Sequence, residues 1–259
     1  MSMATITTEE AAEMTDSAFY VYGIVPADAA VDVLDASDGM GSEVRLVTDG
    51  PVGALVESID PERPLGRRRD LVAHSTVLNT MAAHGPVLPM RFGSVVAGGA
   101  AVVDELLAPQ RDHFAALLEQ VAGRLQFNVR ARYVLDTVLA EIVRSEPEVA
   151  ELRRRTADLP EDASHYDRIR LGELVARAVD VRREAHTRRL LEGLVPHAED
   201  YLVREVSGMD NVAEVSFLVT EEQRADFEQA AEVLAEEWEG TARVSLVGPM
   251  ALYDFVPEQ

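Results

Sequence analysis

The sequence predicts an α+β protein of two domains, an N-terminal mixed α/β sheet domain and a C-terminal ferredoxin-like domain with a helical insertion. Three observations carry this. The chain has 259 residues, 47% of them hydrophobic, which is enough for two ordinary cores. Up to about Ala122, short β-branched runs bounded by glycine and proline alternate with stretches of helical periodicity. From Gly123 onward the order becomes strand, helices, strand, helix, strand, as in a ferredoxin-like unit whose first helix is replaced by several. The expected division is 1–17 as a disordered acidic leader, 18–122 as the N-terminal domain and 123–259 as the C-terminal domain.

Charge and composition narrow the function. With 46 acidic residues against 24 basic ones the formal net charge is -22, which repels phosphate backbones and anionic lipid alike. Nucleic acid and membrane are therefore not expected partners. All 24 basic residues are arginine, so a phosphate-binding loop ending in Gly-Lys-Ser/Thr is absent. Zero cysteine excludes disulfides, thiol nucleophiles and cysteine-ligated metals. With no apolar signal region near Met1, the composition predicts a cytoplasmic protein. No run approaches the roughly 18 apolar residues that a membrane-spanning helix needs.

The leader carries Glu9, Glu10, Glu13 and Asp16, no basic residue and little to bury. Phe19 to Val25 is aromatic and β-branched and is stopped by Pro26, which predicts a first strand. Val44 to Val47 and Val52 to Val56 are joined through Thr48-Asp49-Gly50-Pro51, the chemistry of a tight reversal, and are expected to pair as a hairpin. From Arg67 the period becomes helical, placing Leu71, His74, Ser75, Leu78, Met81 and Ala82 on one inward face. Gly85-Pro86 and Gly93 then frame a short apolar run, Val87 to Phe92. Period-two alternation sends its Leu88, Met90 and Phe92 to one side and Val87 and Arg91 to the other.

After Gly98-Gly99, a short helix from Val102 to Leu107 and a longer one from Pro109 to Val121 are expected, the latter burying Phe114, Leu117, Leu118 and Val121. Leu125, Phe127, Val129, Ala131 and Tyr133 alternate with polar residues and predict the clearest strand. A helix from Leu135 to Val143 follows, and Ser145 with Glu148 has the spacing of a capping box for another. Arg153-Arg154-Arg155 and Pro160 mark a break before a long helix from about Asp167 to Leu194, continued from Pro196 through Tyr201 to Val206. Val212 to Val219 is a strand. Thr220 with Gln223 opens a helix whose stripe is Phe227, Ala231, Leu234 and Trp238. Ala242 to Val247 is the last strand, and Gly248-Pro249 leads into an apolar tail.

Chemistry is sparse. The six histidines, His74, His84, His113, His165, His186 and His197, show no spacing that lets one segment present two imidazoles to a metal. His74 beside Ser75 would suit a hydrolase base. With no Gly-x-Ser-x-Gly elbow, however, it reads as a core histidine satisfied by a backbone carbonyl. Gly98-Gly99 lacks the G-x-G-x-x-G pattern of an anion loop and reads as a turn. Arg67-Arg68-Arg69 and Arg153-Arg154-Arg155 read as solvated helix ends balanced by Asp70 and Glu151. No catalytic residue, metal or cofactor is expected.

The framed segment Val87-Leu88-Pro89-Met90-Arg91-Phe92-Gly93, following a helix that carries His74, resembles the signature of the gas vesicle GvpF/GvpL family. Tyr20-Val21-Tyr22-Gly23-Ile24-Val25 is similar to the family's opening strand, and Gly50 to Val56 to its glycine-led hairpin. Gly123 to Arg130 and Asn211 to Val219 resemble two later strands, and Gly248-Pro249 to Phe255 resembles its closing motif. Two departures stand out. Gln126 occupies a position where the family usually has glutamate, and Met250, Ala251, Leu252 and Asp254 dilute the closing motif to Gly248, Pro249, Tyr253 and Phe255. The resemblance implies a non-enzymatic accessory protein of gas vesicle assembly, cytoplasmic and vesicle-associated. Its implied partners are the small hydrophobic gas vesicle shell protein and other gas vesicle accessory proteins. It also marks His74, Pro89, Arg91, Phe92, Gly93, Gly248, Pro249, Tyr253 and Phe255 as motif and partner-binding residues. The alternative weighed beside it is a small-molecule-sensing regulatory module built from ferredoxin-like domains.

Overall fold

The computed structural model describes Thr5–Ile6, residues 18–35 and residues 37–256. The chain divides into two compact units, residues 1–126 with 248–259, and residues 127–247. The closing segment, expected in the second domain, thus groups with the first unit. Its apolar Ala251 joins that unit's core, and Tyr253 packs against it.

In the first unit the strands are β1 (Thr5–Ile6), β2 (Ala18–Pro26), β3 (Val44–Asp49), β4 (Val52–Ile59), β5 (Leu88–Pro89) and β6 (Val95–Ala97). They form one sheet in the order β1-β3-β4-β2-β5, with β6 also on β2. The hairpin β3-β4 pairs Val44 with Glu57 and Asp49 with Val52, and its turn passes through Gly50 at φ +61°. β1 runs parallel to β3, so the expected disorder of the leader does not extend to Thr5–Ile6. The open edge of β3 offers backbone partners there, and the remainder of the leader lies outside the described residues.

β2 is the central strand, buried along nearly its whole length. A register shift between Val21 and Gly23 changes its phase, so the main core takes Ala18, Tyr20 and Tyr22 and then Val25. Gly23 lies beneath β5 and the helix α1 (Arg68–Ala82). A Cβ there would meet Leu78 Cδ2 at 2.7 Å and the Leu88 carbonyl oxygen at 2.8 Å. Gly23→Ala is therefore expected to cost about 1–3 kcal/mol, because the backbone of β5 must move. A chemical denaturation curve coinciding with wild type would contradict this.

Two expectations for this unit need correction. α1 buries Asp70, His74, Val77, Leu78, Met81 and Ala82, while Leu71 is 49% exposed and Ser75 only half-buried. The helix is turned relative to its apolar stripe because Asp70 and His74 find polar partners inside, described below. Of the single strand expected from Val87 to Phe92, Leu88–Pro89 alone is strand (β5); a turn at Phe92 and Gly93 follows, and β6 lies beyond the expected run. Gly93 takes φ +93° and the Ser94 N–H donates to the Arg91 carbonyl at 3.1 Å, which ends period-two alternation. Val87 and Phe92, expected on opposite faces, consequently pack on the same core.

The helix α2 (Ala108–Val121) buries Phe114, Leu117, Leu118 and Val121 as its stripe predicts. A helical turn at Gly99–Ala101 and a π-helical segment at Val102–Leu107 lead into it without a break, where two separate helices were expected.

The second unit holds a sheet in the order β10-β7-β9-β8, formed by β7 (Arg124–Tyr133), β8 (Asp200–Arg204), β9 (Asn211–Thr220) and β10 (Ala242–Met250). Its helices are α3 (Leu135–Ser145), α4 (Pro147–Ala157), α5 (Glu161–Leu194) and α6 (Arg224–Glu237). Phe127 and Phe217 approach Phe227 of α6 with ring centroids 5.3 and 5.1 Å apart, the centre of this core. The arginine triplet lies inside α4, and the break falls later, at residues 158–160. Arg155 pairs with Asp167, and Arg170 with Glu148 at 2.7 Å, so the charges are met along neighbouring helices.

The Ser145 capping box does not form. Arg182 Nη2 donates to the Ser145 hydroxyl at 2.6 Å, and α4 opens at Pro147. Thr220 Oγ1 accepts the Gln223 N–H at 3.2 Å, a turn that closes just before α6 rather than in its first turn.

The largest correction is β8. The continuation expected as helix beyond Pro196 is one 3-10 turn, Val195–His197, and then a strand. Tyr201-Leu202-Val203 favours the extended state, and β9 supplies an antiparallel partner that pairs Leu202 with Ser216.

Candidate functional site

The framed segment and α1 build a buried polar cluster in the first unit. Tyr20 and Tyr22 share one face of β2, and α1 lays His74 across them. The Tyr20 hydroxyl donates to His74 Nδ1 at 2.8 Å and accepts the Gly93 N–H at 3.2 Å. The ring also hydrogen-bonds the Met90 backbone. Burial drives its pKa down to about 4, against the smaller opposing effect of the Met90 bond. Phe92 closes the cluster edge-on, its ring 5.6 Å from His74 and 6.1 Å from Tyr20.

Tyr22 stacks on His74 at 5.8 Å and donates to Glu57 Oε2 at 2.5 Å. Glu57, on β4, is only 1% exposed and also accepts the backbone N–H groups of Met40 and Ser42, each at 2.7 Å. A Cβ on Gly39 would come within 2.6 Å of its carboxylate, so the loop reaches Glu57 only because that residue is glycine. Burial is the main cause raising both tyrosine pKa values. Tyr20 reaches about 12, and Tyr22 is lifted further by its bond to Glu57. Asp70, fully buried at the start of α1, accepts from the Arg67 N–H at 3.0 Å and Arg63 Nη2 at 2.8 Å.

The remaining motif residues fall around this cluster. Pro89 pairs with Gly23 on β2, and Met90 N donates to the Tyr22 carbonyl at 2.9 Å. Arg91 and Gly93 are exposed at the turn. The Gly248–Pro249 peptide is cis, and Phe255 is half-buried. Tyr253 packs against the same core, and burial raises its pKa to about 12. Segments far apart in sequence thus meet at Tyr20. His74, 6% exposed and hydrogen-bonded to Tyr20, faces the core.

A second feature lies in the second unit. α3, α4 and α5 leave a largely apolar groove lined by Leu139, Ala140, Val143, Leu171, Val175 and Met209. Asp136, Arg153 and Arg168 also line it, and Gly172 contributes no side chain to narrow it. Among the described residues no helix is long and apolar enough to cross a membrane.

Residues 18–257 match the sequence profile of the family described as gas vesicle synthesis protein GvpL/GvpF. The chain belongs to the GvpL/GvpF family. It is 32% identical over 241 residues to gas vesicle protein F of Streptomyces sp. (strain CB03234), covering 92% of this chain and 98% of that one. Gas vesicle protein L of the same strain is 29% identical over 258 residues, covering 93% of each. In fold the chain is similar to the crystal structure of GvpF from Anabaena sp. PCC7120, with TM-score 0.76, 24% identity and coverage of 94% and 99%. Membership ties this GvpL/GvpF chain to gas vesicles and gives no support to the metabolite-sensing alternative.

Gln126 and Asp254, two of the positions at which the resemblance reads as broken, also meet. Gln126 is fully buried, its Nε2 donates to Asp254 Oδ2 at 2.7 Å, and its Oε1 accepts the Asp254 N–H at 3.0 Å. A glutamate at 126 would set a second carboxylate against Asp254. Gln126→Glu is therefore expected to cost about 2 kcal/mol at pH 7 in a urea melt, and Asp254→Asn in the same chain to restore most of it. A neutral Gln126→Glu variant would refute this pairing.

Glu57 is not marked by any sequence motif, and Asp70, expected at a solvated helix end, is instead fully buried. The available signal was a single acid inside an apolar strand run, and another at the third position of a helix. Both are places where a carboxylate is kept only if backbone N–H groups meet it.

Proposed function

We propose that this chain is a non-enzymatic assembly protein of gas vesicle formation that holds the small hydrophobic shell subunit before it joins the vesicle wall. The observation that carries this reading is the apolar groove between α3, α4 and α5, open on the surface of a chain of net charge -22. Such a groove suits the apolar face of a short helix, and the acidic surface keeps a carrier of sticky segments from aggregating. In this reading the second unit is a ferredoxin-like module. Its strand order β10-β7-β9-β8 has the last strand beside the first and the second at the far edge, and α3 to α5 form the insertion that bears the groove.

The motif residues take a supporting part. His74, Pro89, Phe92, Gly93, Tyr253 and Phe255 fix the loop, Gly248-Pro249 sets the closing segment, and Arg91 is offered to the vesicle partner. The protein acts in the cytoplasm, at the growing vesicle.

Co-expression with the shell protein tests the proposal. Wild type should keep the shell protein in the soluble fraction, and Leu171→Asp should lose most of it while retaining its circular dichroism. Arg91→Glu should weaken capture to a lesser degree. Undiminished capture by Leu171→Asp would overturn the assignment of the groove.

A further inference from the structure

β8 occupies one edge of the second unit's sheet, since the order ends at β8 and its one partner there is β9. Every residue from Asp200 to Arg204 is exposed, and three adjacent apolar side chains, Tyr201, Leu202 and Val203, stand 42%, 45% and 47% open. A soluble protein leaves such an edge bare only when something covers it or when its ends are protected. The Tyr201 N–H is not spent on β9: it donates to the Asp200 side chain at 2.8 Å, a local bond that pairing along this edge would exchange for a backbone carbonyl. By the alternation of antiparallel ladders, Asp200, Leu202 and Arg204 face β9 with their backbone groups, and Tyr201 and Val203 turn theirs to the open edge.

We infer that two copies of this chain pair through β8, antiparallel about a two-fold axis at Leu202, to make one continuous eight-stranded sheet. The strand reads Asp-Tyr-Leu-Val-Arg, which is complementary to itself when reversed. Asp200 of one copy comes opposite Arg204 of the other, Tyr201 opposite Val203, and Leu202 opposite Leu202. The pairing satisfies two independent conditions. The residues whose backbone groups point outward, Tyr201 and Val203, are those brought opposite each other, so each such pair closes two N–H to carbonyl bonds. The charged ends meet with opposite sign, and an aromatic faces a β-branched residue, a favourable cross-strand combination. A self-complementary patch of this kind is what an isologous dimer requires. The groove between α3, α4 and α5 shares no residue with β8 and stays available in the dimer.

Sedimentation velocity on the intact chain tests this. At about 100 µM protein the wild type should sediment mainly as a dimer, and dilution should release monomer. Val203→Pro removes one outward N–H on each copy and should give a monomer with an unchanged circular dichroism spectrum. Asp200→Arg should also give a monomer, by setting arginine against arginine, and adding Arg204→Asp to it should bring the dimer back. A wild type that stays monomeric at that concentration overturns the inference, as does a dimer that survives Val203→Pro, or an exchanged pair that fails to re-form it. Were the wild type monomeric and Val203→Pro instead deficient in holding co-expressed shell protein, the edge would belong to that partner and self-pairing would be excluded. Loss of capture in Leu171→Asp with the dimer intact separates the two proposals.

Discussion

Glu57→Ala is expected to lower the unfolding free energy by about 4 kcal/mol, the largest loss from any single substitution considered for the first unit. The carboxylate is 1% exposed and takes four hydrogen bonds: from the Tyr22 hydroxyl, the Met40 N–H, and the N–H and hydroxyl of Ser42. Removing it strands the buried Tyr22 hydroxyl on β2 and part-buried donors at Met40 and Ser42 on the loop. Each orphan costs about 1–3 kcal/mol, and the loop itself should loosen. Glu57→Gln keeps one acceptor oxygen in place and should cost about half as much. Urea melts of the two variants give the comparison, and hydrogen exchange at Met40 and Ser42 reports the loop. Equal stability of wild type and Glu57→Ala would mean that the cluster is dispensable for the fold.

Acidification is expected to remove up to about 3 kcal/mol through His74 alone. Its pKa is about 4 in the folded chain against 6.5 for an ordinary histidine. Between those values the unfolded chain binds a proton that the folded chain refuses, so stability is complete above pH 6.5 and falls as pH drops toward 4. Burial among Tyr20, Tyr22 and Phe92 is the cause. In His74→Gln an amide replaces the imidazole, can accept from Tyr20 and donate to Met90, and does not titrate. The variant should be somewhat less stable than wild type at pH 7 and gain on it steadily as pH falls to 4.5. Parallel stability curves across that range would sink the prediction, since the other five histidines are common to both proteins.

The sequence by itself determined the elements whose signal is local. The strands β2, β7 and β9, the hairpin at Gly50 and the stripes of α2 and α6 follow from period and turn chemistry, because one face of each is apolar and its ends carry glycine or proline. The inward position of His74 and its backbone partner were legible in the same way.

Elsewhere the fold decided. Tyr201-Leu202-Val203 follows a long helix and has no alternation of burial to betray it. It became a strand because β9 lies alongside it, and a hydrogen-bonding partner is a tertiary fact. The run from Val87 to Phe92 shortened to Leu88–Pro89 because the chain turns at Phe92 and Gly93, which sets Phe92 over His74. The convergence of Tyr20, Glu57, His74, Phe92 and Tyr253, and the meeting of Gln126 with Asp254, join positions from opposite ends of the chain. No pattern along the chain encodes such a distance. Tyr20, Glu57, His74 and the Gln126–Asp254 pair are fixed by the need of buried donors and acceptors to find partners, which only the folded chain can supply, whereas Tyr253 is held by apolar packing with its hydroxyl unpaired among the described residues.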